Sequence, residues 1–243
     1  MTNEEGKKRK ALVVSIDHIY GFGWRALVLM QKLKEELAAQ SAFTIEHSIP
    51  DLPRALLQGA DFLAKKPHIA ERFWFDFYRE LMAKAKICDK IREDIRLAQE
   101  RKFPTVIFCK NFNGTNVHAA MHQKNFYNLG MDALEAAARC GDDLSEVQDP
   151  IAPDVNILLK INSEVAYETY RQSLAEILEK LNGSPAHRKV KKLFARLDFF
   201  SQQPAYLAEF ERLGEKGYII DANGTDEDVL AEMSEIIVQK IKN

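Results

Sequence analysis

The sequence predicts an α/β fold: a parallel five-stranded sheet covered by helices on both faces. Short apolar, β-branched runs alternate with long helical patterns along the chain, which implies right-handed crossovers between neighbouring parallel strands. One run, "PTVIFCK" (104–110), shows no polar alternation at all, the signature of a strand buried on both faces. No internal repeat, low-complexity tract or linker divides the chain. A polar tail over 1–10 therefore precedes one domain over 11–243.

The elements follow in order. "ALVVSI" (11–16) reads as the first strand, and a helix follows over about 24–40. "FTIEHS" (43–48) is a second, weaker strand. Helical segments then run from about 53 to 101, broken at Pro67. After the strand at 104–110, helices extend to about 140, and "GDDLSEVQDPIAPD" (141–154) reads as a surface loop. "VNILLKI" (155–161) is the fourth strand, with a helix over about 163–181. "YIIDA" (218–222) is the fifth, and "GTDED" caps a last helix through Thr225 and the acids after it. In such sheets ligands bind outside the carboxyl ends of the strands, so the residues just after 16, 48, 110, 161 and 222 are the ones to question.

Composition narrows the function classes. The 243 residues are 46% hydrophobic and 29% charged, and 34 basic against 36 acidic residues give a net charge of -2. No overall field recruits nucleic acid or an anionic membrane. The polar, basic start is followed by no apolar stretch long enough for a signal peptide or a membrane span, so a cytoplasmic protein is expected. Cys88, Cys109 and Cys140 fit no metal pattern and read as reduced, buried residues. His118 and His122 have the i,i+4 spacing of a helical metal pair, but no carboxylate or cysteine nearby completes a ligand set. No metal site is predicted.

The first strand leads into "HIYGFGWR" (18–25) and then a helix. A phosphate-binding loop of the form G-x-x-x-x-G-K-[ST] occupies this place in nucleotide-binding proteins: its backbone N–H groups cradle phosphates, its lysine reaches the β/γ-phosphates and its hydroxyl residue holds magnesium. Gly21 and Gly23 are present, whereas the first glycine, the lysine and the hydroxyl are not. Taken alone, the window fits a plain tight turn as well as a degraded phosphate loop.

Over nearly its whole length the chain resembles thymidylate kinase, a P-loop nucleoside monophosphate kinase, in the order and spacing of its motifs. "YIIDANGTDEDVLAEMSEIIVQKI" is similar to the family's last strand, Asp-Ala turn and final helix. "APDVNILLKINSEVAYE" resembles its Pro-Asp entry into the fourth strand, with Lys160 in place of an aspartate. "KICDKIREDIRLAQERKFPTVIFCKNF" resembles the helix and strand before its Asp-Arg-Tyr motif. The resemblance implies a three-layer P-loop NTPase-like fold. It places Trp24 on the loop lysine, Arg25 on the magnesium-binding hydroxyl, and Lys110 and Asn111 on the aspartate and phosphate-binding arginine. The family's Arg-Glu-Pro after the second strand faces "HSIP" (47–50), with its charges gone.

Other parts of the implied site are kept. Phe75 and Arg79 match the thymine-stacking phenylalanine and the arginine four residues later, one helical turn apart; an amphipathic core helix accounts for them equally well. Thr115 and Asn116 match residues beside the base, and Thr115 also suits a helix cap. The basic segment 182–198 stands where the family has its lid, which makes Arg188 and Arg196 candidate lid cations, although a solvated helix face also carries such residues. The pattern implies a thymidylate-kinase-like protein whose catalytic apparatus is lost: a non-catalytic nucleotide-binding or regulatory pseudokinase. Two alternatives stay open, a divergent active kinase using ATP and magnesium on dTMP, and a scaffold with a plugged site. The expected ligand is a thymine nucleotide, and a homodimer through the faces of 75–98 and 117–137 is expected.

Overall fold

A computed structural model describes residues 11–19, 23–48, 87–114, 117, 151–183, 187–188, 191 and 199–242. The described elements are β1 (Ala11–His18), α1 (Gly23–Ala39), β2 (Phe43–Ser48), α2 (87–98), β3 (Thr105–Lys110), β4 (Val155–Lys160), α3 (Ser163–Lys180), α4 (Phe199–Arg212), β5 (Gly217–Asp221) and α5 (Asp226–Lys242). The strands form one sheet in the order β2-β3-β1-β4-β5, with every neighbouring pair parallel. β1 is the central strand. The chain leaves β1 toward β2 on one side, and leaves β4 toward β5 on the other, so the strand order reverses at β1.

Side-chain alternation along β1 divides the core between the two faces. Leu12, Val14 and Ile16 pack with Leu29, Met30, Leu33 and Leu37 of α1 and with Val229, Met233 and Ile237 of α5. The α1 residues recur at three- and four-residue steps, so one stripe of the helix meets the sheet. Burying each of its leucines contributes roughly 1.5–3 kcal/mol, an upper estimate. Val13 points the other way and joins Ile107 and Cys109 of β3 with Cys88 and Ile91 of α2. Register is fixed at the foot of β1 by Asp154, whose carboxylate accepts from Val13 N at 2.9 Å while its own N–H donates to Val13 O at 2.8 Å.

Boundaries differ from expectation in ways the pairing explains. β1 runs past 16 because Asp17 and His18 pair with Leu158 and Leu159. β5 begins at Gly217, opposite Asn156, one residue earlier than expected. α4 was not foreseen: Pro204 lies inside it and interrupts the helical signature. It joins β5 through a short 3₁₀ turn, Gly214–Lys216. Gly217 is required at that joint, because a Cβ there would lie 2.5 Å from the Phe210 carbonyl oxygen. Cys88 and Cys109 are buried, as expected. Cys140, the histidines 118 and 122, the break at Pro67 and the loop up to 150 lie outside the described residues. Among the described residues no helix is long and apolar enough to cross a membrane, and no group of three His, Cys, Asp or Glu is placed to hold a metal.

Candidate functional site at the carboxyl ends of the strands

Polar residues accumulate where β1, β3 and β4 end. Ser15 and Asp17 are both fully buried and project from the same side of β1. Asn156 is the register partner of Ser15 on β4, and Asn113 follows β3. Asp17 receives hydrogen bonds from Asn113 N at 2.8 Å and from Asn113 Nδ2 at 3.0 Å, and from the Ser15 hydroxyl. Asn113 Nδ2 also reaches Ser15 Oγ at 3.2 Å and Asn156 Oδ1 at 2.9 Å, and Asn156 donates to the Lys216 carbonyl at 3.2 Å. A buried carboxylate is tolerable only when donors surround it. Here the donors come from the turn after β3 and from β1 itself, so the network ties that turn onto the sheet centre.

His18 and Lys110 lie at the same end, each only 2% exposed, and His18 Nδ1 sits 2.9 Å from the Ile19 carbonyl. Asn111 adopts φ 57°, a left-handed conformation that asparagine tolerates better than most residues. Its backbone is pinned on both sides: Asn111 N donates to Ile16 O at 3.0 Å, and Asn111 O accepts from Gly114 N at 3.3 Å. A Cβ on Gly114 would lie 3.0 Å from the Tyr206 hydroxyl, so α4 closes over this turn. At the end of the edge strand β2, His47 Nε2 is 2.7 Å from Asp94 Oδ2, which fastens β2 to α2.

α1 begins at Gly23, so Trp24 and Arg25 stand in its first turn. The Arg25 guanidinium is turned toward the loop between β5 and α5. It donates to Ala222 O at 2.5 Å, to Gly224 O at 2.7 Å and, through Nε, to Asp226 Oδ1 at 2.7 Å. Lys32, two turns further along the same face of α1, lies 3.5 Å from Asp226 Oδ2. The Arg25 hydrogen bond holds the Asp226 carboxyl below its ordinary pKa, with the charges of Arg25 and Lys32 adding to it. The same loop is stiffened from within. Asn223 donates its backbone N–H and its Nδ2 to Asp221 Oδ1 and accepts from Asn162 N at 2.8 Å, which lowers the Asp221 pKa. Thr225 and Asp228 form a capping pair at the start of α5.

Of the residues singled out in the sequence, Gly23, Trp24, Arg25, Lys110 and Asn111 reach this end of the sheet. Arg188 lies exposed in a helical stretch of the basic segment. Gly21, Phe75, Arg79, Thr115, Asn116 and Arg196, and the side chain of Trp24, lie outside the described residues. The network of Ser15, Asp17, Asn113 and Asn156 was not anticipated. Its signal was available: Ser15 and Asp17 sit two apart in an otherwise apolar strand, and Asn156 interrupts a second one.

No family model and no curated protein matches the chain. Among solved structures, the deoxyadenosine kinase from M. mycoides with bound dATP is similar, with a TM-score of 0.44 and 14% identity over 95% of this chain and 99% of that one. At that score the likeness bears on neither site nor ligand. The class of protein is defined by the strand pairing itself: a helix–sheet–helix α/β domain with a five-stranded parallel sheet in the order 2-3-1-4-5.

Proposed function

We propose that this chain is a thymidylate-kinase-like protein that binds a thymine nucleoside or nucleotide without transferring phosphate. One observation carries the reading. Arg25, at the helix start where a phosphate loop places its magnesium-binding hydroxyl, gives its guanidinium to the β5–α5 loop. Phosphoryl transfer depends on positioned charge and metal more than on covalent chemistry. Trp24 cannot supply the lysine's charge, Arg25 cannot ligate magnesium, and Lys110 and Asn111 replace the motif's aspartate and arginine. Loss of one preorganised donor typically costs about 10²–10³ in rate, and here several are lost together.

The base pocket of this proposal consists of Phe75, Arg79, Thr115 and Asn116, with Gly21 and Gly23 as its further nucleotide-binding positions. Stacking on an aromatic face contributes roughly 1–3 kcal/mol per base, enough to hold a pyrimidine weakly without phosphate contacts. Arg188 and Arg196 would then be solvated lid cations rather than catalytic ones. The test is turnover of dTMP with ATP and magnesium in protein free of host kinase. None is expected, and magnesium-dependent turnover at kinase-like rates would refute the proposal. In a separate measurement by calorimetry, Phe75→Ala and Arg79→Ala should each abolish thymidine binding.

A homodimer belongs to the same proposal. The described part of the helix before β3 spends Cys88, Ile91 and Ala98 on the core and carries ion pairs such as Arg96–Glu93 outward. A C₂ contact would therefore rest on residues before 87 and on 117–137. A monomer in sedimentation at micromolar concentration would rule it out.

A further inference from the structure

Asn111 is 5% exposed, and among the described residues its Oδ1 has no hydrogen-bond partner. A buried acceptor left unmade costs free energy in the empty protein, and the left-handed backbone at φ 57° adds to that cost. The side chain cannot escape by moving the turn, because Asn111 N is bonded to Ile16 O and Asn113 N to Asp17 Oδ1. The residue sits at the carboxyl end of β3 beside the central strand, where ligands meet sheets of this topology.

We infer that the Asn111 carboxamide oxygen is a ligand contact, kept for a neutral N–H or O–H donor of a nucleoside and not for a phosphate. A phosphate oxygen is itself an acceptor and carries negative charge, so it would face Asn111 Oδ1 with repulsion. The imide N–H of a thymine ring and a deoxyribose hydroxyl both supply the missing donor. The inference rests on the proposed nucleoside binding and names the group within the site that reads it.

The test compares wild type with Asn111→Gly, using thermal melting and calorimetry against thymidine. Glycine accepts the positive φ and removes the orphaned oxygen, so the empty protein should melt about 2–4 °C higher while thymidine binding weakens about tenfold. Thymidine methylated at N3 identifies the imide as the donor if it loses this tenfold on wild type and nothing more on the variant. The analogue lacking the 3′-hydroxyl identifies the sugar by the same pattern. Asn111→Asp covers the case of a glycine variant that does not fold: it keeps an acceptor and tolerates the left-handed backbone, so thymidine binding should stay within about threefold. Unchanged thymidine affinity in Asn111→Gly, or a lower melting temperature, would overturn the inference and leave the proposed function standing. A tenfold loss in Asn111→Asp would do the same. If wild type binds no thymidine, both fall together.

Discussion

Asp17 is fully buried, and the N–H groups of Asn113 and the Ser15 hydroxyl are aimed at it. Removing its carboxylate strands those donors where water cannot replace the acceptor, at a cost of about 1–3 kcal/mol for each group left unsatisfied. Asp17→Ala should therefore lower stability by about 3 kcal/mol or more, with Asp17→Asn losing less because one acceptor oxygen remains. Urea unfolding checks this, and a loss under about 1 kcal/mol would show that the network is not structural. Arg25 acts at the start of α1. Arg25→Ala should cost about 1.5–3 kcal/mol, the usual range for hydrogen bonds to a charged group. Part of that cost depends on pH with a definite sign. The folded-state pKa of Asp226 lies below its ordinary 3.8, so the carboxylate's contribution is present above that value and is lost as pH falls through the lowered one. The gap between wild type and Arg25→Ala should thus be steady from pH 5 to 7 and narrow in acid. It should not vanish, since the bonds to the Ala222 and Gly224 carbonyls do not titrate. A gap that widens below pH 4 would contradict this assignment.

Gly217 shows how a single position fixes the packing of an element. α4 reaches β5 through a tight turn in which the Phe210 carbonyl lies 2.5 Å from where a Cβ would be, and backbone cannot yield as a flexible side chain can. Gly217→Ala should cost roughly 1–3 kcal/mol through overpacking, read as a lower denaturation midpoint. An unchanged midpoint would mean that α4 shifts freely. The strands were legible in the sequence because apolar β-branched runs between helices have few other uses; β2 matched from 43 to 48. α4 was not legible, since Pro204 and the polar "SQQP" before it obscure the apolar spacing that Tyr206 and Phe210 supply. The candidate site was half legible. Trp24, Arg25, Lys110 and Asn111 stood out as departures from a motif, but nothing in the linear order says that Arg25 turns toward residues some 200 positions later. The Asp17 network depends on Ser15 and Asn156 sharing a rung and on the turn after β3 bringing Asn113 onto them, and register emerges only from the pairing.

At the scale of the whole molecule, the central strand carries the site and its neighbours close it. The 2-3-1-4-5 order brings the turns after β1, β3 and β4 to one end of the sheet. Arg25 locks the start of α1 to the β5–α5 loop, and α4 covers the turn after β3. The proposed function requires this end of the sheet to accept a base and sugar without a triphosphate and its metal. Melting temperature across a nucleotide panel, with and without magnesium, tests that most directly, because a ligand that binds only the folded state raises it by mass action. Thymidine and dTMP should raise the melting temperature by comparable amounts, ATP should not, and magnesium should change nothing. A magnesium-dependent rise with ATP, or no rise with either thymine compound at millimolar concentration, would contradict the account.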